Sequence, residues 1–322
     1  MTRRKALKTL GMAAGITALE TAGIYSYVAG LDGLKEDARY FYAQRDKTNY
    51  LIADSHAHPA RPRNANELES LVQHLLRKKV AFQSVSAILK SNRTWLYEDL
   101  AGDIASFCSS NKEYSIQMSD EHATIISYRG KKTVFIRSQE LSCLSPRQKE
   151  VHLCIEGMPY FEDFYNKPED VIYKAMEKNA TVILNHPYSI PNKILAYWIA
   201  NREHEQYLYG LMGWENLLVE TFNSMNALHM AASNGKAEAM ARKYKRTMVA
   251  STDCHFSEMN LTLKQLGNAG FYVKAMPDLS SMTGKEIIGL KRELAINSPG
   301  LFRNYCPLGV FFDVMVKSRF SK

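Results

Sequence analysis

Tyr50-Leu51-Ile52-Ala53-Asp54-Ser55-His56-Ala57-His58-Pro59 is the stretch from which the rest of the chain is read. Its apolar start predicts a short strand that stops at Asp54, and two histidines follow at alternate positions. Alternate side chains on extended backbone point the same way, so both imidazoles can grip one cation. Outward from this stretch, short apolar runs alternate with segments of helical period, which predicts repeated βα units rather than a sandwich.

The spacing of Leu68, Leu71, Val72, Leu75 and Leu76 predicts a helix, and Val80–Leu89 the next strand. Leu100, Ile104 and Phe107 mark a second helix. Ala123–Tyr128 and Thr133–Leu141 flank the turn Arg129-Gly130-Lys131-Lys132 as a hairpin, and Val151–Ile155 is a further strand. A helix follows Pro168, a residue suited to a first turn. Thr181–Leu184, Leu217–Phe222 and Thr247–Ala250 read as strands separated by helices near 192–209 and 226–245. A single α/β barrel, regular or distorted, accounts for this order better than two domains.

Residues able to bind metal gather where these strands end: Glu140, His186 in Asn185-His186-Pro187, and Asp253 with His255 in Ser251-Thr252-Asp253-Cys254-His255. His152 lies in Val151–Ile155. Strand ends of a βα barrel converge on one face, so distant residues can share a pocket. His74 sits within a helix of structural character, and His122, His204 and His229 read as ordinary surface or core residues.

The order Asp-x-His-x-His, Glu140 with His152 twelve positions on, Asn-His-Pro and Thr-Asp-x-His resembles the PHP superfamily of metal-dependent phosphoesterases, over residues 50 to about 273. The resemblance implies a distorted (β/α)7 barrel. It implies one divalent cation held by His56, His58, Glu140 and Asp253, and a second sharing Glu140 with His152 and His186. Zinc, manganese or iron would suit such ligands. Many family members hold a third cation through residues that here read Pro59-Ala60-Arg61-Pro62-Arg63-Asn64 and Ile88-Leu89-Lys90-Ser91-Asn92, of which set only His255 remains. A two-metal site is therefore expected, with Arg61, Arg63 or Lys90 giving a substrate phosphate its positive partner. The expected catalytic residues are Asp253 and His255, the latter to protonate the departing oxygen or hold the phosphate. Glu220 and Asn223 are expected to orient substrate or neighbouring groups, or to be structural. Amidohydrolase-like and TatD-like barrels use a similar ligand list, so another ester, an amide or a nucleic acid stays open as substrate, as does a degenerate barrel that only binds a ligand or partner.

The chain has 322 residues, 46% hydrophobic and 23% charged, which excludes disordered, collagen-like and polytopic membrane classes. The net charge of +8 includes no run of five like charges and no basic stripe interleaved with aromatics. A small anionic substrate explains it, and no nucleic-acid partner is expected. Arg3, Arg4, Lys5 and Lys8 precede a stretch from Thr9 to Leu31 whose only charged residue is Glu20. Thr2-Arg3-Arg4-Lys5-Ala6-Leu7-Lys8 resembles a twin-arginine export signal. Residues 1–30 are thus expected to be a signal or membrane tether read by the translocation machinery, 31–49 a linker and 50–322 the barrel. The protein would then reside in the periplasm or on the outer side of the cytoplasmic membrane. The five cysteines include no CxxC pair and read as ordinary core or near-core residues, with a Cys143–Cys154 bridge left open for an exported protein.

Overall fold

The computed structural model describes residues 50–88, 95–160, 167–192, 196–199, 202–226, 231–255 and 258–306. The signal-like segment, the linker and Lys90 lie outside the described residues, as does His229. Among the described residues no helix is long and apolar enough to cross a membrane.

Strand β1 (Leu51–Asp54) leads to α1 (Ala65–Arg77) and β2 (Val80–Ala87). The Asn64 side chain caps α1 by accepting the Glu67 N–H, and Leu68, Leu71, Val72, Leu75 and Leu76 form its buried stripe. Then come α2 (Tyr97–Ser110), β3 (Tyr114–Ser119), β4 (Ala123–Tyr128), β5 (Lys131–Leu144) and β6 (Glu150–Glu156). Helix α3 (Pro168–Glu177) carries Pro168 in its first turn and precedes β7 (Thr181–Asn185). The helix expected near 192–209 begins only at α4 (Arg202–Leu211), because an antiparallel pair, β8 (Ser189–Asn192) and β9 (Ala196–Ile199), comes first. Pro191 and the run Tyr197-Trp198-Ile199 favour extended chain over helix. The chain continues through β10 (Leu217–Asn223), α5 (Ala231–Lys243), β11 (Met248–Ser251), α6 (Met259–Gln265), β12 (Ala269–Val273), α7 (Gly284–Ile296) and β13 (Leu301–Arg303).

The main sheet runs β11-β10-β7-β6-β5-β2-β1-β12-β13, with the β3–β4 hairpin attached to β5. Its edge strand β11 lies against β12 and β13, so the sheet curls into a nearly closed barrel. Pairing departs from uniform parallel order: β1, β2 and β5 are parallel, as are β7, β10 and β11, but β6 and β12 run antiparallel to both their neighbours. The β5–β6 connection spans only residues 145–149, too short for the crossover that parallel strands need.

Sheet register sorts the side chains. Leu141, Cys143, Val151, Leu153, Val182, Leu184, Leu217 and Val219 pack in one cluster with residues of α3, α4 and α5. Their alternates, including Glu140, His152, Cys154, Asn185 and Glu220, therefore face the barrel interior. The same register explains why Cys143 and Cys154 are not bridged. Cys154 sits opposite Glu140 and Cys143 opposite Val151, which puts the two thiols on opposite faces of the sheet; both are free.

Helix α7 closes the far end of the barrel. It touches β4, β7, β11 and β12, and carries Lys291 into a fully enclosed contact. Lys291 Nζ lies 2.6 Å from Ser84 Oγ and 2.5 Å from Glu156 Oε1. Close packing at the β1–β12 pair has a testable consequence. A Cβ at Gly270 would lie 2.6 Å from the Ala53 carbonyl oxygen and would overlap the Ile52 side chain. Gly270→Ala is expected to cost about 1–3 kcal/mol, measured as a lower denaturation midpoint.

Candidate metal centre

His56 and His58 gain their positions from strand-like hydrogen bonding beyond β1. The Ala57 carbonyl accepts the Ser86 N–H, the His56 carbonyl accepts the Asp253 N–H, and the His58 N–H donates to the Cys254 carbonyl. Residues 56–58 are thus held between the ends of β2 and β11, with Asp54 accepting the Thr252 N–H and hydroxyl to lock the two segments together. Burial pushes the Asp54 carboxyl up to about 6 despite these hydrogen bonds. His58 Nδ1 meets the Ser86 carbonyl oxygen at 2.6 Å, which turns its Nε2 inward. The two Nε2 atoms come within 2.8 Å of each other.

Glu140 lies at the centre of the group. Its Oε1 is 3.0 Å from His152 Nδ1 and 3.2 Å from His186 Nε2. Its Oε2 is 3.1 Å from His58 Nε2 and 3.7 Å from His56 Nε2. Asp253 Oδ1 lies 3.7 Å from His56 Nε2 and 3.9 Å from His58 Nε2, and Oδ2 lies 3.9 Å from His186 Nε2. The six residues read from the sequence as ligands are therefore brought together. His255, at the rim with its side chain 32% exposed, sits 2.7 Å from Asp253 Oδ1 and stacks on His58 at 4.3 Å.

Three overlapping groups have ligand atoms all within 4.8 Å of one another: His56, Glu140 and His186; His56, His58 and Asp253; and His58, Glu140 and His255. The buried His, Glu and Asp side chains can hold a metal ion, and the chemistry of the set fits one. Buried polar atoms almost always have partners. Here His56 Nδ1 makes no hydrogen bond, nor does either polar atom of the Asn185 side chain.

Electrostatics pull the groups of the metal-free cluster in different directions: burial lowers His56, but the charges of Glu140 and Asp253 outweigh it and raise the ring well above the usual imidazole value. Burial raises the Glu140 carboxyl, but the charges of His56 and His152 outweigh it and hold the group well below the usual range. Burial, reinforced by the positive fields of His255 and His56, pushes His58 down to about 4, so its ring is neutral as metal ligation requires. His152 moves the other way, up to about 10, because Glu140 and Glu150 overcome its burial. Asp253 likewise outweighs burial to raise His255. Two of the expected ligands, His186 and Asp253, occupy positive φ (24° and 47°), a conformation that few non-glycine residues adopt.

The expected phosphate-binding arginines both have carboxylate partners. Arg61, 52% exposed, pairs with Asp99 and Asp103, and Arg63, 81% exposed, pairs with Glu67. The pairing carboxylates come from α1 and α2. His74 bonds the Leu266 carbonyl oxygen, in keeping with a structural role. Glu150, not singled out in the sequence, lies 3.3 Å from His152 Nε2. Its i, i+2 spacing from His152 on a strand was the available signal.

Compared with models of known protein families and with curated proteins, the chain matches none.

Proposed function

We propose that this chain is a metal-dependent phosphoesterase of the PHP type, built on a distorted (β/α)7 barrel and using two divalent cations. The observation that carries this reading is the placement of Glu140, whose two oxygens face two different sets of imidazoles. His56, His58, Glu140 and Asp253 would hold one cation, and Glu140, His152 and His186 the other. When bound, such cations supply Lewis acidity toward a phosphate and lower the pKa of a coordinated water.

The chain's own residues account for the rest. The register of β5, β6 and β7 sets the spacing of the ligands before any cation arrives. Asp253 and the His58 ring fix the His255 imidazole at the exposed rim, where a substrate would arrive. From there it can donate a proton to the alkoxide that leaves as the P–O bond breaks. The segment Thr2–Lys8 and the apolar stretch after it support export by the twin-arginine route, and the overall positive charge suits a small phosphorylated substrate.

An assay of aryl phosphate beside matched aryl ester and anilide tests the reaction class. Phosphate hydrolysis is expected, lost on chelation and restored by manganese, zinc or iron. Turnover of the ester or anilide alone would favour an amidohydrolase-like enzyme. No turnover of any of the three by metal-loaded protein would favour a binding module.

A further inference from the structure

Glu220 belongs to neither proposed ligand group, yet its side chain is fully buried beside the centre. Its Oε2 accepts the His186 backbone N–H at 2.6 Å and Asn223 Nδ2 at 3.2 Å. Asn223 Nδ2 also donates to Asp253 Oδ2 at 2.9 Å. The other oxygen, Oε1, accepts the Ser251 hydroxyl and faces His56 Nδ1 at 3.6 Å. One carboxylate thus reaches three ligands drawn from three separate stretches of chain. It meets His56 on the ring nitrogen turned away from Glu140, His186 through its backbone, and Asp253 through an amide.

Each link has a definite physical consequence. A neutral imidazole that offers Nε2 to a cation must carry its proton on Nδ1, and a buried N–H needs an acceptor. His56 Nδ1 has no hydrogen bond, and the Glu220 carboxylate lies a small ring rotation from providing one. At His186 the same carboxylate accepts the backbone N–H at φ 24°, an uncommon conformation for a non-glycine residue. At Asp253, the shared Asn223 amide occupies Oδ2 and leaves Oδ1 toward His56, His58 and His255.

Building on the metal-centre reading, we infer that Glu220 is the positioning residue of the centre, orienting His56, His186 and Asp253 together. Because His56 and His186 serve different subsites, one substitution at Glu220 loosens both. A purely structural carboxylate would affect unfolding alone.

Cobalt(II) titration of the full chain, followed by its visible absorption, separates the two roles. Glu220→Gln keeps the shape but loses one acceptor and the charge. It is expected to bind cobalt about 10–100-fold more weakly, with an altered ligand-field spectrum. Wild-type affinity and spectrum in folded Glu220→Gln would overturn the inference and leave the metal-centre reading intact. If wild-type protein itself binds no cobalt, that reading fails and the inference with it. Should Glu220→Gln not fold, Asn223→Ala cuts only the Asp253 branch. A weaker, spectrally changed cobalt complex in that variant supports the inference, and an unchanged one overturns it.

Discussion

Glu140→Gln is expected to disable the centre. The amide is nearly isosteric with the carboxylate, so the barrel has little to rearrange. Only one of its two terminal atoms can still act as a ligand, whereas the native oxygens face His152 and His186 on one side and His56 and His58 on the other. Whichever way the amide turns, an NH2 group faces one set of imidazoles, and the negative charge is lost to both. Supporting residues around metal sites typically cost 10–100-fold in affinity, and a shared ligand should exceed that, so at least one subsite should weaken by more than about 100-fold. Phosphate hydrolysis should fall to background. Calorimetric titration with manganese beside the aryl phosphate assay checks both. A variant that retains two tight subsites would show that the carboxylate does not bridge.

Lys291→Met is expected to be the most destabilising single change at the other end of the barrel. Lys291 and Glu156 are both fully enclosed, and the ammonium touches Ser84 as well. Removing one member of a buried ion pair leaves the other charged and unpaired, at a cost of about 3–5 kcal/mol. For a domain of this size that corresponds to a fall of roughly 10 °C in denaturation midpoint. The double variant Lys291→Met, Glu156→Leu should recover most of the loss, since both charges go while the volume stays filled, leaving Ser84 to lose its bonds at about 1 kcal/mol. Glu156 lies four positions along β6 from His152, about 13 Å. The double variant should therefore bind metal normally. Thermal denaturation of both variants decides; equal losses in each would show that packing, not charge, sets the cost.

The barrel-like α/β architecture was legible because apolar runs and helical stripes alternate along the chain, as Leu68 to Leu76 shows for α1. Helix α7 was hidden by the residue that makes it distinctive. A lysine at 291 interrupts the apolar stripe of Ile287, Ile288 and Ala295, although its side chain is as buried as theirs. The β8–β9 pair is hidden in the sequence because each strand is only four residues long and finds its partner in the other.

At the centre, the convergence of His56, His58, Glu140, His186 and Asp253 could be anticipated because each ends or follows an expected strand, while His152, inside one, entered through the resemblance alone. What escaped depends on partners remote in sequence. Nothing near Arg61 announces that Asp99 and Asp103 will meet it. Opposite faces for Cys143 and Cys154 follow only once the β5–β6 register is known. For Glu220 and Asn223 the sequence leaves an orienting and a structural role both open, because the partners that tell them apart, the His186 backbone among them, lie on other strands.

Diffraction from crystals grown with excess manganese, with data collected on both sides of the manganese absorption edge, bears most directly on the metal centre. Two anomalous peaks are predicted, one among His56, His58, Glu140 and Asp253 and one among Glu140, His152 and His186. A fully ordered cluster with no anomalous peak between these side chains, at manganese concentrations well above protein, would contradict the account.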